Sequence, residues 1–172
     1  MELPVVNHPD YVAKINDDNK FPIKKFGALA EHLLKVNVVK KFFIPNECSV
    51  KTMQTSHSLE YINHIRNKSL DIKLQKKIGF PINDSVVRRS FVATGGTVLA
   101  SKLALDSKLA CNTAGGSHHA TFDFGAGYCV FNDTAVAANY LKNKGYAKKI
   151  LILDLDVHQG NGNSEIFQND KN

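Results

Sequence analysis

Two carboxylates and an imidazole occupy alternate positions in the run Ile150-Leu151-Ile152-Leu153-Asp154-Leu155-Asp156-Val157-His158. On an extended strand alternate side chains share a face, so Asp154, Asp156 and His158 would stand in a row about 6.6 Å apart. The apolar residues ahead of them read as a strand buried on both faces. The carboxyl end of such a strand is where open α/β sheets bind ligands. Unpaired charges buried there would be costly, so the pattern asks for a metal ion or for dedicated hydrogen-bond donors. Asp156 and His158 supply the oxygen and nitrogen that zinc accepts, and Asp154 can then accept from a neighbouring group or bind another cation. The plainer reading is a strand end whose acids accept from backbone amides at the start of a helix.

Gly115-Gly116-Ser117-His118-His119-Ala120 places two adjacent histidines in a loop after an earlier expected strand. Carboxyl ends of neighbouring parallel strands converge, so His118 and His119 can face Asp156 and His158 across one crevice. In Gly160-Asn161-Gly162 the residue types suit a turn. Asn161 can also accept from a histidine ring N–H and so fix that ring's tautomer. The other histidines, His8, His32, His57 and His64, show no such pairing.

The elements that must position these groups alternate between helical and extended patterns. Phe21-Pro22 opens a helix to about Lys35, with Phe26, Leu29, Ala30, Leu33 and Leu34 on one face. Lys41 to Ile44 reads as a short strand, and a helix with Leu59, Ile62 and Ile65 follows Ser56 or His57. A long helical pattern covers about Asp84 to Asp106. Gly95-Gly96 inside it costs helix propensity and so suggests close packing against a neighbour. Ala110 to Ala114 reads as a strand, 115–127 as a loop, and Asn132 or Asp133 as the cap of a helix to about Asn143. Lys149 to Val157 is expected to be a buried strand. Helices alternating with apolar strands indicate an α/β fold with a mainly parallel sheet.

Composition narrows the function classes. The 172 residues are 43% apolar and 22% charged, an ordinary globular balance with enough chain for one core. No apolar run approaches the roughly 20 residues that span a bilayer, and no signal peptide is visible, so no membrane partner is expected. The formal net charge of +6 is concentrated in residues 51–80, around Lys68, Lys73, Lys76 and Lys77. No aromatic residue interleaves with these lysines before Phe80, which fits a solvated helix face and no specific nucleic-acid groove. Cys48, Cys111 and Cys129 form neither a C-x-x-C pair nor an even disulfide set, which suits a reducing, cytoplasmic setting.

With these residues in place the chain resembles the zinc-dependent histone deacetylase family, including its bacterial members and the acetoin-utilisation and acetylpolyamine-hydrolase relatives. The resemblance rests on Gly115-Gly116-Ser117-His118-His119-Ala120, Gly127-Tyr128-Cys129-Val130-Phe131-Asn132-Asp133 and Asp154-Leu155-Asp156-Val157-His158-Gln159-Gly160-Asn161-Gly162. Weaker agreement runs through His8-Pro9-Asp10-Tyr11, Phe21 to Phe26, His57 to Tyr61 and Ala93 to Thr97. It implies a three-layer arginase/deacetylase-like α/β fold, a single domain over 1–172 that forms the N-terminal portion of the family fold.

The resemblance further implies that Asp156 and His158 ligate zinc. His118 and His119 would flank the attacking water, with His119 as general base and then acid. Asp154 would orient His118, and Asn161 would sit behind His119 where some members have Asp; an amide brings no negative charge, so that contact is weaker. Gly127 and Tyr128 would lie along the acyl-lysine channel. Asp154, with backbone oxygens of Asp156 and His158, would resemble the family's structural potassium site. The implied chemistry is hydrolysis of acetyl-lysine or a related acetylated amine.

One departure is large. Catalytic zinc takes three protein ligands, and the family's third ligand, an Asp, and its oxyanion-stabilising Tyr lie well downstream of the Asp-x-Asp-x-His strand. Neither Glu165, Asp170 nor the residues to Asn172 form such a block, which implies a C-terminally truncated member, with the rest of the family's sheet absent. Two readings stay open: a deacetylase, inactive where truncation removes the third ligand, or a noncatalytic remnant or half of a split enzyme completed by a second polypeptide.

Overall fold

The computed structural model describes residues 3–170; Met1, Glu2, Lys171 and Asn172, part of the expected 1–172 domain, lie outside the described residues. Strand β1 (Val5–Val6) pairs in parallel with β2 (Cys111–Asn112), Val5 opposite Cys111 and Val6 opposite Asn112. On the other edge of β1, the N–H of Phe43 donates to the Val5 carbonyl at 2.9 Å and the N–H of Asn7 to the Phe43 carbonyl at 3.1 Å. The strands expected at 41–44 and 110–114 thus contract to a single bridge and a two-residue pairing.

Polar residues before each helix set where most of them begin. Helix α1 (Lys25–Lys35) starts later than Phe21-Pro22 suggests, because the Lys25 N–H first closes a turn onto the Pro22 carbonyl. Ser49 caps α2 (Val50–Met53), Ser58 caps α3 (Leu59–Arg66) and Asp71 caps α4 (Ile72–Ile78), each side chain accepting a first-turn N–H. Asn83 does the same for α5 (Asp84–Ser107) and Asn132 for α6 (Asp133–Asn143). The last helix is α7 (Asn161–Phe167).

Helix α5 runs through the middle of the molecule and packs on α6. Tyr11, Met53, Ile62, Ile65, Phe91 and Val136 are among the core side chains buried around it. Gly95-Gly96 is where α5 meets its neighbours most closely. A Cβ on Gly95 would lie 2.0 Å from the Asn46 carbonyl oxygen, and one on Gly96 2.0 Å from the Tyr11 hydroxyl. The close packing that the glycines suggest is therefore against a loop and a tyrosine.

The expected buried strand over 149–157 requires correction. The segment is not assigned as a strand, and Leu151, Leu153, Leu155 and Val157 are 73% to 92% exposed. Ile150 and Ile152 are partly covered. A strand exists only through a ladder with a neighbour, and among the described residues no backbone hydrogen bond joins 149–157 to another strand. The apolar pattern identifies a segment suited to burial but cannot supply what buries it.

Candidate functional site

The loop after β2 turns sharply, with Gly116 at φ +97° and the His118 N–H donating to the Gly116 carbonyl at 2.9 Å. The rings of His118 and His119 lie with centroids 4.2 Å apart. His118 is buried, and its Nδ1 is 2.6 Å from Oδ2 of Asp154. An ionised carboxylate only accepts, so Nδ1 of His118 carries the proton in this contact. His119 Nδ1 stands 2.7 Å from Oδ1 of Asn161, the first residue of α7. Each ring is thus held through Nδ1, leaving Nε2 outside these two contacts. The Asp154 carboxyl is held below its ordinary range, first by the His118 hydrogen bond and then by the Asp156 N–H.

Close approach of the polypeptide around the loop makes these contacts reachable. Gly162 in α7 comes so near the loop that a Cβ there would be 2.2 Å from the Ala120 carbonyl oxygen. Asn132 Nδ2 donates to the Ala120 carbonyl at 3.1 Å and to Asn163 Oδ1 at 2.8 Å, tying the starts of α6 and α7 to the same loop.

Asp156 and His158 are both exposed and bonded to each other: the backbone N–H and the ring Nδ1 of His158 each lie 2.8 Å from Asp156 Oδ1. The Asp156 carboxyl is held below its ordinary range by that backbone N–H and then by the ring. The His158 ring centroid is 6.0 Å from that of His119. Asp156 and His158 thus lie on the same side of the molecule as the paired histidines. Their oxygen and nitrogen suit zinc in type, yet among the described residues no group of three His, Cys, Asp or Glu side chains is placed to hold a metal ion.

A cleft of about 670 Å³ lies between this segment and helices α6 and α7, lined by Ile152, Asp154, Asp156, His158, Ala138 and Phe167 among others. Gly127, Tyr128 and the paired histidines are not part of its lining. Gly127 instead packs under His119: at φ +53°, a Cβ there would be 2.6 Å from His119 Cδ2. Tyr128 also adopts a left-handed backbone, φ +65°, with its N–H donating to the Ile78 carbonyl at 2.7 Å. Such a conformation is strained for a non-glycine residue and persists where its surroundings over-determine it. Here the ring is clasped by Phe21 and Phe80, at centroid distances of 5.0 and 5.2 Å.

His57 supports the site without any pairing in sequence to betray it. It is fully buried, its Nδ1 2.8 Å from the Thr121 carbonyl, while its Nε2 accepts the Asn132 N–H at 2.9 Å. That pattern fixes the neutral tautomer with the proton on Nδ1, and burial pulls the pKa down to about 4. Its signals in the sequence are its place just before the capping Ser58 and its membership of the His57 to Tyr61 stretch.

Comparison with known proteins identifies the family and the fold. The histone deacetylase domain family matches residues 20–172. A protein of Picosynechococcus sp. strain PCC 7002 is 42% identical over 172 residues, covering 99% of this chain and 57% of that protein. The acetoin utilization protein AcuC of Staphylococcus aureus strain COL is 28% identical over 171 residues, covering 91% of this chain and 43% of its own. The solved structure of a histone deacetylase homologue from Aquifex aeolicus superimposes with a TM-score of 0.80 at 25% identity, covering 97% of this chain and 48% of that one. The chain spans about half the length of the curated relatives it matches. Its fold is the arginase/deacetylase-like fold of these homologues, and the chain belongs to the histone deacetylase family.

Proposed function

We propose that this chain carries the proton-transfer histidines and two of the zinc ligands of a deacetylase acting on acetyl-lysine or a related acetylated amine. The observation that carries the reading is the pair of Nδ1 contacts, His118 to Asp154 and His119 to Asn161, made by rings 4.2 Å apart. Each partner fixes a tautomer and an orientation, as proton-transfer histidines require. His119 takes the proton of the attacking water as oxygen bonds to the acetyl carbon. It returns that proton to the amine nitrogen as the carbon–nitrogen bond breaks. Asn161 keeps Nε2 of His119 aimed at the reacting atoms, and Asp154 does the same for His118.

Asp156 and His158 would hold the metal together with a third ligand from outside the described residues. When bound, zinc polarises the carbonyl and lowers the pKa of a water. Asp154, with backbone oxygens of Asp156 and His158, is our candidate for a structural potassium site. Gly127, packed under His119, and the adjoining Tyr128 would border the acyl-lysine stem. Two buried cysteines and one exposed, all unpaired, suit a reducing compartment such as the cytoplasm. No described helix is long and apolar enough to cross a membrane.

The test is hydrolysis of an acetyl-lysine amide by the chain supplied with zinc and with the C-terminal portion of its 42%-identical relative. Turnover that disappears in His119→Ala supports the reading, and turnover that survives it overturns the role given to His119. A second reading, half of a split enzyme or a noncatalytic remnant, draws on the bare apolar residues Leu151, Leu153, Leu155 and Val157. Stable binding of that C-terminal portion, with turnover only in the mixture, favours the split enzyme. Binding without turnover favours the remnant.

A further inference from the structure

Asp133 opens α6, yet its carboxylate serves the histidine loop. It is 2% exposed, and the capping of α6 is performed by its neighbour Asn132. Asp133 Oδ1 accepts the Ser117 N–H at 2.7 Å and the Gly116 N–H at 3.2 Å; Oδ2 accepts the Gly116 N–H at 3.1 Å and also the Thr97 hydroxyl. Behind this grip runs a half-buried chain. Thr97 Oγ1 accepts from Asn112 Nδ2 at 2.9 Å, and Asn112 Oδ1 accepts from the Tyr11 hydroxyl at 2.9 Å. The chain therefore links the turn after β1, helix α5, β2 and α6 to the two amides immediately before His118.

A buried carboxylate is costly unless donors surround it, and this one collects two backbone amides and a hydroxyl. The buried Arg89 guanidinium, which donates to the Tyr11 carbonyl at 3.0 Å, is near enough for its charge to interact favourably with that of Asp133. Gly115 makes room for the arrangement, since a Cβ there would sit 3.0 Å from both Asp133 Oδ2 and Thr97 Oγ1. Charge-assisted hydrogen bonds to two successive amides fix a backbone direction more firmly than neutral ones.

Resting on the function proposed above, we propose that Asp133 is a positioning residue for the paired histidines. Its hold on Gly116 and Ser117 sets the turn from which His118 and His119 reach Asp154 and Asn161. The carboxylate acts only through that backbone and touches neither ring.

The test is amide NMR and hydrogen exchange on the full chain and on Asp133→Asn. Loss of the carboxylate should shift the Gly116 and Ser117 amide protons upfield and speed their exchange by about tenfold or more, the order expected for a lost charge-assisted bond. Exchange at Ile62 and Val92, in the core, should stay unchanged. Ring signals of His118 and His119 should move together with those amides. Unchanged Gly116 and Ser117 amides, or core exchange accelerated equally, would overturn the proposal. Should Asp133→Asn fail to fold, Thr97→Val decides, because it keeps the carboxylate and removes one donor. Faster exchange confined to Gly116 and Ser117 supports the grip, and no change there overturns it. Absence of hydrolysis by the unsubstituted, completed protein would count against the proposed function alone, since the amide signals report on Asp133 whether or not the site turns over.

Discussion

Acidification should destabilise this fold in a window set by His57. Burial lowers its pKa from 6.5 to about 4 in the folded chain, while the unfolded chain titrates near the ordinary value. As pH falls through 6.5 the unfolded state takes up a proton that the folded state refuses. Stability contributed by the neutral ring is fully present above that pH and falls by about 1.4 kcal/mol per pH unit down to about 4, a total near 3 kcal/mol. That is a large part of the ~5–15 kcal/mol typical of a domain. The low-lying carboxyls of Asp154 and Asp156 act in the next window down, because a depressed carboxyl loses its contribution only as pH falls below the ordinary carboxylate range. Urea unfolding at half-unit steps from pH 7.5 to 4.5, on the full chain and on His57→Gln, separates the contributions. Glutamine can donate to the Thr121 carbonyl and accept from the Asn132 N–H but does not titrate. The variant should be less stable at pH 7, having lost ring packing against Phe131 at 5.3 Å, and the gap should close as pH falls. Parallel stability profiles for the two proteins would refute the reasoning.

Three other perturbations have expected outcomes. Gly95→Ala should gain about 1 kcal/mol from helix propensity but lose more than that to the clash with the Asn46 carbonyl, for a net destabilisation of about 1–3 kcal/mol in chemical unfolding; a stabilised variant would mean that the loop yields. Arg88→Ala removes half-exposed ion pairs to Asp10 and Glu47 and should cost no more than about 1 kcal/mol, with the difference shrinking in 1 M salt. Replacing the exposed Leu153 and Leu155 by lysine should leave the stability of the isolated chain within about 1 kcal/mol in chemical unfolding; a larger loss would show that these side chains are covered.

Much of the helical framework was legible because its signals are local. The long helix expected to end near Asp106 ends at Ser107, and the cap expected at Asn132 or Asp133 is Asn132. The segment 149–157 departs from its strand-like pattern because strand formation depends on a partner that no local pattern reveals. The candidate residues were visible as types and spacings, and the structure brings His118, His119, Asp154, Asn161, Asp156 and His158 to one side of the molecule. The contacts that support them were not legible, although His57 and Asp133 stand in stretches that carry the family resemblance. His57 and Asp133 act through contacts with residues 64 and 16 to 36 positions away, and the left-handed backbone of Tyr128 follows from packing against Phe21 and Phe80.

Zinc titration of the chain completed by the C-terminal portion of its 42%-identical relative, against a chromophoric chelator, tests the site most directly. The expected result is one zinc per chain, with affinity reduced by about tenfold or more in either Asp156→Ala or His158→Ala, the scale seen when even supporting groups of a metal site are lost, and unchanged in His64→Ala, a surface control. Zinc bound equally well by the Asp156 and His158 variants would contradict the assignment of this segment as the metal-binding end of a deacetylase site.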